Sequence, residues 1–403
     1  MTGGRCHRTS SVLDDVFVQY ERFCGTSVAI GLLARFHGAP PTLERLRDHL
    51  RARLGGTPEL RWTFAESESG WRRSRWRESS AVDWAAAVRD LPVAEGTGEA
   101  GLRAAVERAC EEHLDPAHRP WRCLLVRGFA DGEWALLLQV HHALTGAVGL
   151  VELLRRALGR APVRAAPPVP RSPASRLRAW ATLLRDGPGF LAHARRTAAT
   201  APPVPESGRR ITWQSLDTDH LRLLARRHGA TVNDVVLALA PEHLAALPLT
   251  VRPRRWRALV PVDCRDRAAP VGLGNHLSLM RIVLPCAGDD RGDRIAAVAA
   301  ATARAKQGPA VRAVRAAVEV LPPRLYRSCF GQVLAPGYAD LFISNWGAVE
   351  ALAYQGEPVR ELVPLMWRPR DHRLSTAFLT YGGRTCFSRT VAAYETGPVV
   401  PGG

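Results

Sequence analysis

The segment Trp134–Leu150, WALLLQVHHALTGAVGL, constrains this chain more than any other stretch. Trp134 to Val140 is an apolar run of strand length, and it reads as a buried strand. It ends in two adjacent histidines, His141 and His142, and a helix is expected to begin four residues later. Val148, Val151, Leu154 and Leu158 then fall on one stripe at the 3.6-residue period. A rigid strand that delivers an imidazole into a loop ahead of a helix holds a general base well. Histidine is the side chain whose ordinary pKa, ~6.5, lies nearest neutral pH.

At 403 residues the chain is long enough for two domains with substantial cores. Helices are expected at 41–54, with Gly55 as a left-handed C-terminal cap, and at 101–114, 147–158 and 174–198. Strands are expected at 60–64, 71–77, 122–129 and 134–140, the last two joined by the turn Ala130-Asp131-Gly132. Residues 160–175 and 200–208 are rich in proline, which places a domain crossover at 166–208 between halves spanning 1–165 and 209–403. In the second half Thr231 and Asp234 form an N-terminal capping pair for a helix over 231–247, bent at Pro241. Strands at 256–262, 278–284, 339–344 and 374–390 and a helix at 292–306 complete an α/β pattern.

Other chemistries find little support. No apolar run approaches the ~18 residues of a membrane span. The N-terminus lacks the roughly 7–15-residue apolar core of a secretory signal, so a cytoplasmic protein is expected. The eight cysteines show neither CxxC nor zinc spacing, which predicts buried free thiols and no metal. There is no Gly-x-Ser-x-Gly elbow and no phosphate-cradling glycine loop. The net charge of +17 is almost all arginine, a compositional bias. Trp71–Arg77, where aromatics and arginines alternate, suits a strand with one buried and one solvated face better than a nucleic-acid surface.

His141-His142-Ala143-Leu144-Thr145-Gly146-Ala147 resembles the HHxxxDG motif of the CoA-dependent acyltransferase superfamily, with Gly146 at the Asp position and Ala147 at the Gly position. Further stretches resemble the wax ester synthase/diacylglycerol acyltransferase branch in order: Leu114-Asp115 with Arg119-Pro120-Trp121, GATVNDVVL from Gly229, Val260–Arg265, Gly274-Asn275-His276-Leu277-Ser278, and Ser344-Asn345-Trp346-Gly347. The matches run from about Leu13 to Val391. The resemblance implies a two-lobed, chloramphenicol-acetyltransferase-like α/β sandwich pair with a central tunnel, the His motif in the N-terminal lobe.

It also implies that His142 is the base and that His141 packs or bonds locally. Arg265 stands where a partner for the motif's missing acid is expected, left resolvated or paired elsewhere. Asn275 and Ser278 are expected either to bond a substrate oxygen or to cap a turn. Asn345 and Trp346 are expected to line the tunnel, Trp346 narrowing it. The resemblance implies no tightly bound cofactor. The co-substrate is an acyl-CoA or acyl carrier protein thioester, and a monomer acylates a small-molecule hydroxyl or amine in bacterial secondary or lipid metabolism. The altered motif leaves two alternatives: the fold reused for cyclisation, elimination or isomerisation, or a non-catalytic binding homologue.

Overall fold

Residues 7–159, 173–198, 208–245, 255–265, 271–285, 290–335, 337–370 and 372–392 are described by a computed structural model of the chain. The first half runs β1 (His7–Thr9), α1 (Val12–Cys24), β2 (Ile30–His37), α2 (Leu43–Leu54), β3 (Trp62–Ala65), β4 (Arg75–Glu78), α3 (Trp84–Ala87), β5 (Val88–Pro92), α4 (Gly98–Glu111), β6 (Trp121–Arg127), β7 (Glu133–Val140) and α5 (Ala147–Leu158). After α6 (Pro173–Ala198) come β8 (Arg209–Asp217), α7 (Thr218–Arg227), α8 (Val232–Ala245), β9 (Arg257–Asp263), β10 (Leu277–Val283), α9 (Arg291–Lys306), α10 (Pro309–Val320) and α11 (Pro323–Leu334). The chain finishes with β11 (Leu341–Val349), β12 (Ala353–Tyr354), β13 (Glu357–Pro358), β14 (Glu361–Leu365), β15 (Leu374–Tyr381) and β16 (Arg384–Ala392).

Two large sheets define two lobes. One has the order β14-β2-β7-β6-β5, and the other has the order β10-β9-β11-β15-β16-β8. β7 lies at the centre of the first, antiparallel to both β2 and β6, and is buried along all but its first residue. This is why its sequence is apolar on both faces rather than alternating. Phe36 and Trp134, directly opposed across β2 and β7, stack with ring centroids 4.0 Å apart. The lobes are interleaved, because β14, from late in the chain, pairs with β2 and closes the edge of the first sheet.

Helix 147–158 and the turn at Gly132 (φ +64°) stand where the sequence places them. The cap at Thr231 does as well: Thr231 Oγ1 accepts from the Asp234 N–H while Asp234 Oδ2 accepts from the Thr231 N–H. Gly55 differs, since its φ of −58° is right-handed; α2 ends instead in a tight turn in which the Thr57 N–H bonds Leu54 O at 2.8 Å. The segment 60–64 starts as a 3₁₀ turn over Pro58–Arg61. Of Trp71–Arg77 only 75–77 is strand, with Trp76 buried between exposed Arg75 and Arg77. Trp71 is exposed beneath the Arg324 guanidinium. The thiols also differ in part: Cys110, Cys123 and Cys386 are buried, but Cys24, Cys264 and Cys329 are half-covered. Cys6, Cys286 and the flanks of the 166–208 crossover lie outside the described residues.

Leu136, 2% exposed on the central strand, reports on this core. Leu136→Ala is expected to lower unfolding free energy by about 2–5 kcal/mol, read as a reduced urea midpoint at unchanged slope.

Candidate active site

Three segments build the site: α1, the loop 141–146 after β7, and the turn Gly274–Asn275 before β10. β7 ends at Val140, and the backbone N–H of the next residue, His141, bonds Pro120 O at 2.7 Å, so the segment leading into β6 anchors the histidine pair. His141 is fully buried. Its Nδ1 accepts from the Ala143 N–H (3.0 Å) and its Nε2 donates to Glu21 Oε2 (2.8 Å). Burial pushes the Glu21 carboxyl up, but its hydrogen bonds with His141 and the Val28 N–H, together with the nearby His113, bring it below the usual range. Both ring nitrogens of His141 are thus occupied, as expected of a structural residue.

His142 is arranged differently. Its ring stacks on Phe17 (centroids 3.9 Å apart, 18° between planes) and meets Trp367 edge-on. Nδ1 faces Asn275 Oδ1 at 3.2 Å. The Asn275 amide cannot turn round at no cost, because its NH2 group sits among Asp14 Oδ1 (3.1 Å), His142 O (2.7 Å) and Ala143 O (3.2 Å). Asn275 Oδ1 is therefore the acceptor, Nδ1 carries the proton, and Nε2 holds the free lone pair. Burial lowers the His142 pKa to about 4; a hydrogen bond of the ring to its own backbone and the one to Asn275 oppose the fall, and His141 adds to it. The ring is neutral at neutral pH.

His142 lines a narrow cavity between the lobes. Phe17, Gly146, Asp263, Arg265, Phe342, Asn345, Trp346 and Trp367 line it. Within the described residues, the indole N–H groups of Trp346 and Trp367 and the Nε of Arg265 are buried without an acceptor.

Not every expected residue acts as expected. Ser278 is fully buried, but its hydroxyl donates to Val311 O at 2.8 Å, joining β10 to α10, and it is not among the cavity residues; this corrects its substrate role. Asn275 engages His142 and backbone carbonyls rather than a substrate oxygen. Asn345 reaches the cavity, yet its side-chain oxygen accepts from the Gly347 N–H. Arg265 is paired elsewhere, with Asp263 Oδ1 at 3.1 Å and Gly274 O at 2.7 Å. His372 is buried outside the cavity, where burial lowers its pKa to about 3.

The loop is stitched down without the motif acid. Thr145 Oγ1 accepts from the Gly274 N–H (3.0 Å) and lies 3.3 Å from Gly274 O. Gly274 has φ +120°, a conformation only glycine adopts readily, and this aims the next residue, Asn275, across the cleft. Gly146 is extended (φ −87°), so no backbone demand explains it; a Cβ there would lie 3.2 Å from Asn275 Oδ1 and 3.6 Å from His142 Cε1.

Sequence reasoning missed α1, and with it Asp14, Phe17 and Glu21, as well as Thr145. The signal was present: positions 14, 17 and 21 recur at steps of three and four, one helical face.

The profile of the wax ester synthase/diacylglycerol acyltransferase catalytic domain matches residues 11–204, and that of the family's C-terminal domain matches residues 273–395. The chain belongs to this family, within the CoA-dependent acyltransferase superfamily. The solved wax ester synthase/diacylglycerol acyltransferase of Marinobacter aquaeolei VT8 superimposes with a TM-score of 0.65 at 21% identity, covering 96% of this chain and 94% of that one. The first condensation domain of the CDA synthetase gives 0.69 at 18% identity, covering 99% and 93%. These likenesses establish the two-lobed acyltransferase fold.

A Mycobacterium tuberculosis protein bearing the provisional name diacylglycerol O-acyltransferase is 29% identical over 230 residues, 53% of this chain and 50% of its own length. A second from that organism is 28% identical over 324 residues, 66% of each. The chain spans about half the length of the first of these curated relatives. In the described residues, no group of three or more His, Cys, Asp and Glu is placed to hold a metal ion, and no helix is long and apolar enough to cross a membrane.

Gly146→Asp sets an anion beside the imidazole, which favours its protonated form. Its ¹⁵N-histidine titration is expected to move the His142 pKa up from about 4; an unchanged midpoint would show that residue 146 does not address the ring.

Proposed function

We propose that this protein is an acyltransferase that moves an acyl group from a CoA or carrier-protein thioester to a hydroxyl or amine of a small molecule. The observation that carries this is His142: a buried, neutral imidazole that lines the interlobe cavity, with Nδ1 within hydrogen-bond distance of Asn275 Oδ1. The names of the relatives and the family profiles support the same class.

In this mechanism Nε2 removes the proton of the acceptor O–H or N–H as that atom attacks the thioester carbonyl. The tetrahedral intermediate collapses with cleavage of the C–S bond, and the imidazolium returns the proton to the departing thiolate. Ester or amide and free thiol leave, with His142 regenerated. Positioned proton transfer of this kind contributes about 10²–10⁴ in rate. Burial of the ring favours the neutral base at the start of each cycle. The aromatic walls, Phe17, Phe342, Trp346 and Trp367, suit a compact acyl group, and Trp346 is expected to narrow the passage.

Incubation of the purified chain with acyl-CoAs and alcohol or amine acceptors should release thiol and form product heavier by the acyl mass. His142→Ala should lower that rate about 10²–10⁴-fold. Wild-type rates from a folded His142→Ala protein would remove the base from the mechanism. A product altered by zero or by one water would instead favour reuse of the fold for another reaction. Because protonation disables the base, activity is lost as pH falls toward about 4, with no inflection near 6.5; a pH–rate profile between 5 and 8 checks this. Trp346→Ala should shift preference toward longer acyl chains, measured as the ratio of kcat/KM values across a chain-length series.

A further inference from the structure

Asp263 and Arg265 line two openings at once. One is the narrow aromatic cavity of His142; the other is an open groove of about 480 Å³ between the end of β9 and the junction of α9 with α10. The remaining walls of the groove are Val262, Cys264, Lys306, Val311, Arg312 and Arg315. Strand β10 ties its two sides together. Leu277 and Ser278 pair with Asp263 and Val262 on β9, and the Ser278 hydroxyl donates to Val311 O in the first turn of α10 at 2.8 Å. Arg312 and Arg315, three residues apart on α10, thus share one opening with Lys306, the last residue of α9.

Charge in the groove is out of balance. Four cations line it against one carboxylate, Asp263, which already pairs with Arg265 at 3.1 Å. Arg312 reaches Asp186, outside the groove, at 2.9 Å and bonds Gln307 O. Arg315 has only Glu319, 3.9 Å away. Burial raises the pKa of the Cys264 thiol while the charge of Arg315 opposes the rise, so the guanidinium stands close to that wall. Lys306, the single lysine of the chain, makes no hydrogen bond or ion pair among the described residues. Neither it nor Arg315 caps a carbonyl there, so the fold gives these two charges no task.

We propose that this groove is a phosphate-binding subsite, in which Lys306, Arg312 and Arg315 hold the phosphate end of a co-substrate whose reacting end lies beside His142. A phosphate offers several anionic oxygens, which guanidinium forks and an ammonium complement directly. The aromatic cavity next door rejects such a charge, since burying it there unpaired is costly. The molecule that fits both openings is therefore apolar at one end and phosphorylated at the other. Two sources carry that chemistry: the phosphopantetheine arm common to CoA and carrier-protein thioesters, and a phosphorylated acceptor. The occupant rests on the transferase reading; the chemistry that binds it rests on the groove.

Lys306 makes the test direct, because an amine-specific acetylating reagent can modify only it and the terminal amine of the chain. Phosphopantetheine should slow acetylation of Lys306 and leave the terminal amine reacting as before, read by peptide mass mapping. Pantetheine, which lacks the phosphate, should protect nothing. Protection by glycerol phosphate and not by phosphopantetheine assigns the groove to a phosphorylated acceptor. Lys306→Gln with Arg315→Gln should weaken calorimetric binding of the protecting compound by about 10-fold or more at unchanged Tm. Arg51→Gln with Arg222→Gln, an equal loss of charge on exposed faces of α2 and α7, should leave it unchanged. Where the donor is the occupant, the groove pair should raise KM for acyl-CoA and leave kcat, and turnover of acyl-pantetheine, as they were. Absence of protection by both phosphate compounds overturns the subsite. So does equal protection by pantetheine, or equal weakening in the α2 and α7 pair. Protection that depends on the groove in a protein that transfers no acyl group overturns the transferase reading and leaves the subsite standing.

Discussion

One buried amide, Asn275, organises the centre of this molecule. It stands on the C-terminal side of the cleft and meets α1 and the histidine loop from the other, so its hydrogen bonds close the site and dock the lobes together. A buried polar group left unpaired costs about 1–3 kcal/mol, so an amide with all of its partners in place strongly selects one arrangement of its surroundings. Its oxygen and its NH2 face chemically distinct neighbours, an imidazole N–H on one side and a carboxylate with two carbonyls on the other. Separation of the lobes by an ångström breaks both sets at once. The placement of the His142 ring and the closure of the fold are therefore one constraint.

The charge of the chain has a related logic. Much of the arginine excess serves the fold rather than a polyanion. Arg53 bonds the carbonyls of Arg156 and Gly159 at the end of α5, Arg73 those of Val318 and Glu319 at the end of α10, and Arg47 those of Ala85 and Val88 at α3. Guanidinium groups at helix C-termini satisfy the last carbonyls and complement the negative end of the dipole. Buried Arg209 likewise holds Cys110 O and Ser27 O. Arginine, always charged and carrying five donors, suits such positions.

The parts of the fold legible in the sequence are those in which one local pattern decides the outcome. The apolar run ending at Val140, the stripe of α5 and the Thr231–Asp234 cap each contain their own cause. The histidine motif, in order with the other family stretches, located the site from the N-terminal side. Helix α1 escaped because its inward face mixes Phe17 with the acids Asp14 and Glu21. Charged residues on a buried face blur the periodicity that identifies a helix, and partners 62 to 261 positions away, Trp76, His141 and Asn275, help make them tolerable. The role of Ser278 was illegible for the same reason: the motif places it near the site, but Val311 O, 33 residues on, takes its hydroxyl. β14 joining the first sheet is likewise a long-range fact without a local signature.

The exchange of acid for glycine in the histidine motif bears on the same amide. A Cβ at position 146 would stand 3.2 Å from Asn275 Oδ1. A carboxylate carried on it would approach the very oxygen that accepts from His142, two acceptors competing where one donor is available. Asn275 would relieve the repulsion by turning its NH2 toward residue 146, and its oxygen would then face Asp14, repeating the repulsion on the other side. Two acids cannot both address one amide in its present orientation. Asp14 is fixed by the cap of α1 and by Trp76, and the small residue at 146 leaves space that becomes part of the cavity beside His142.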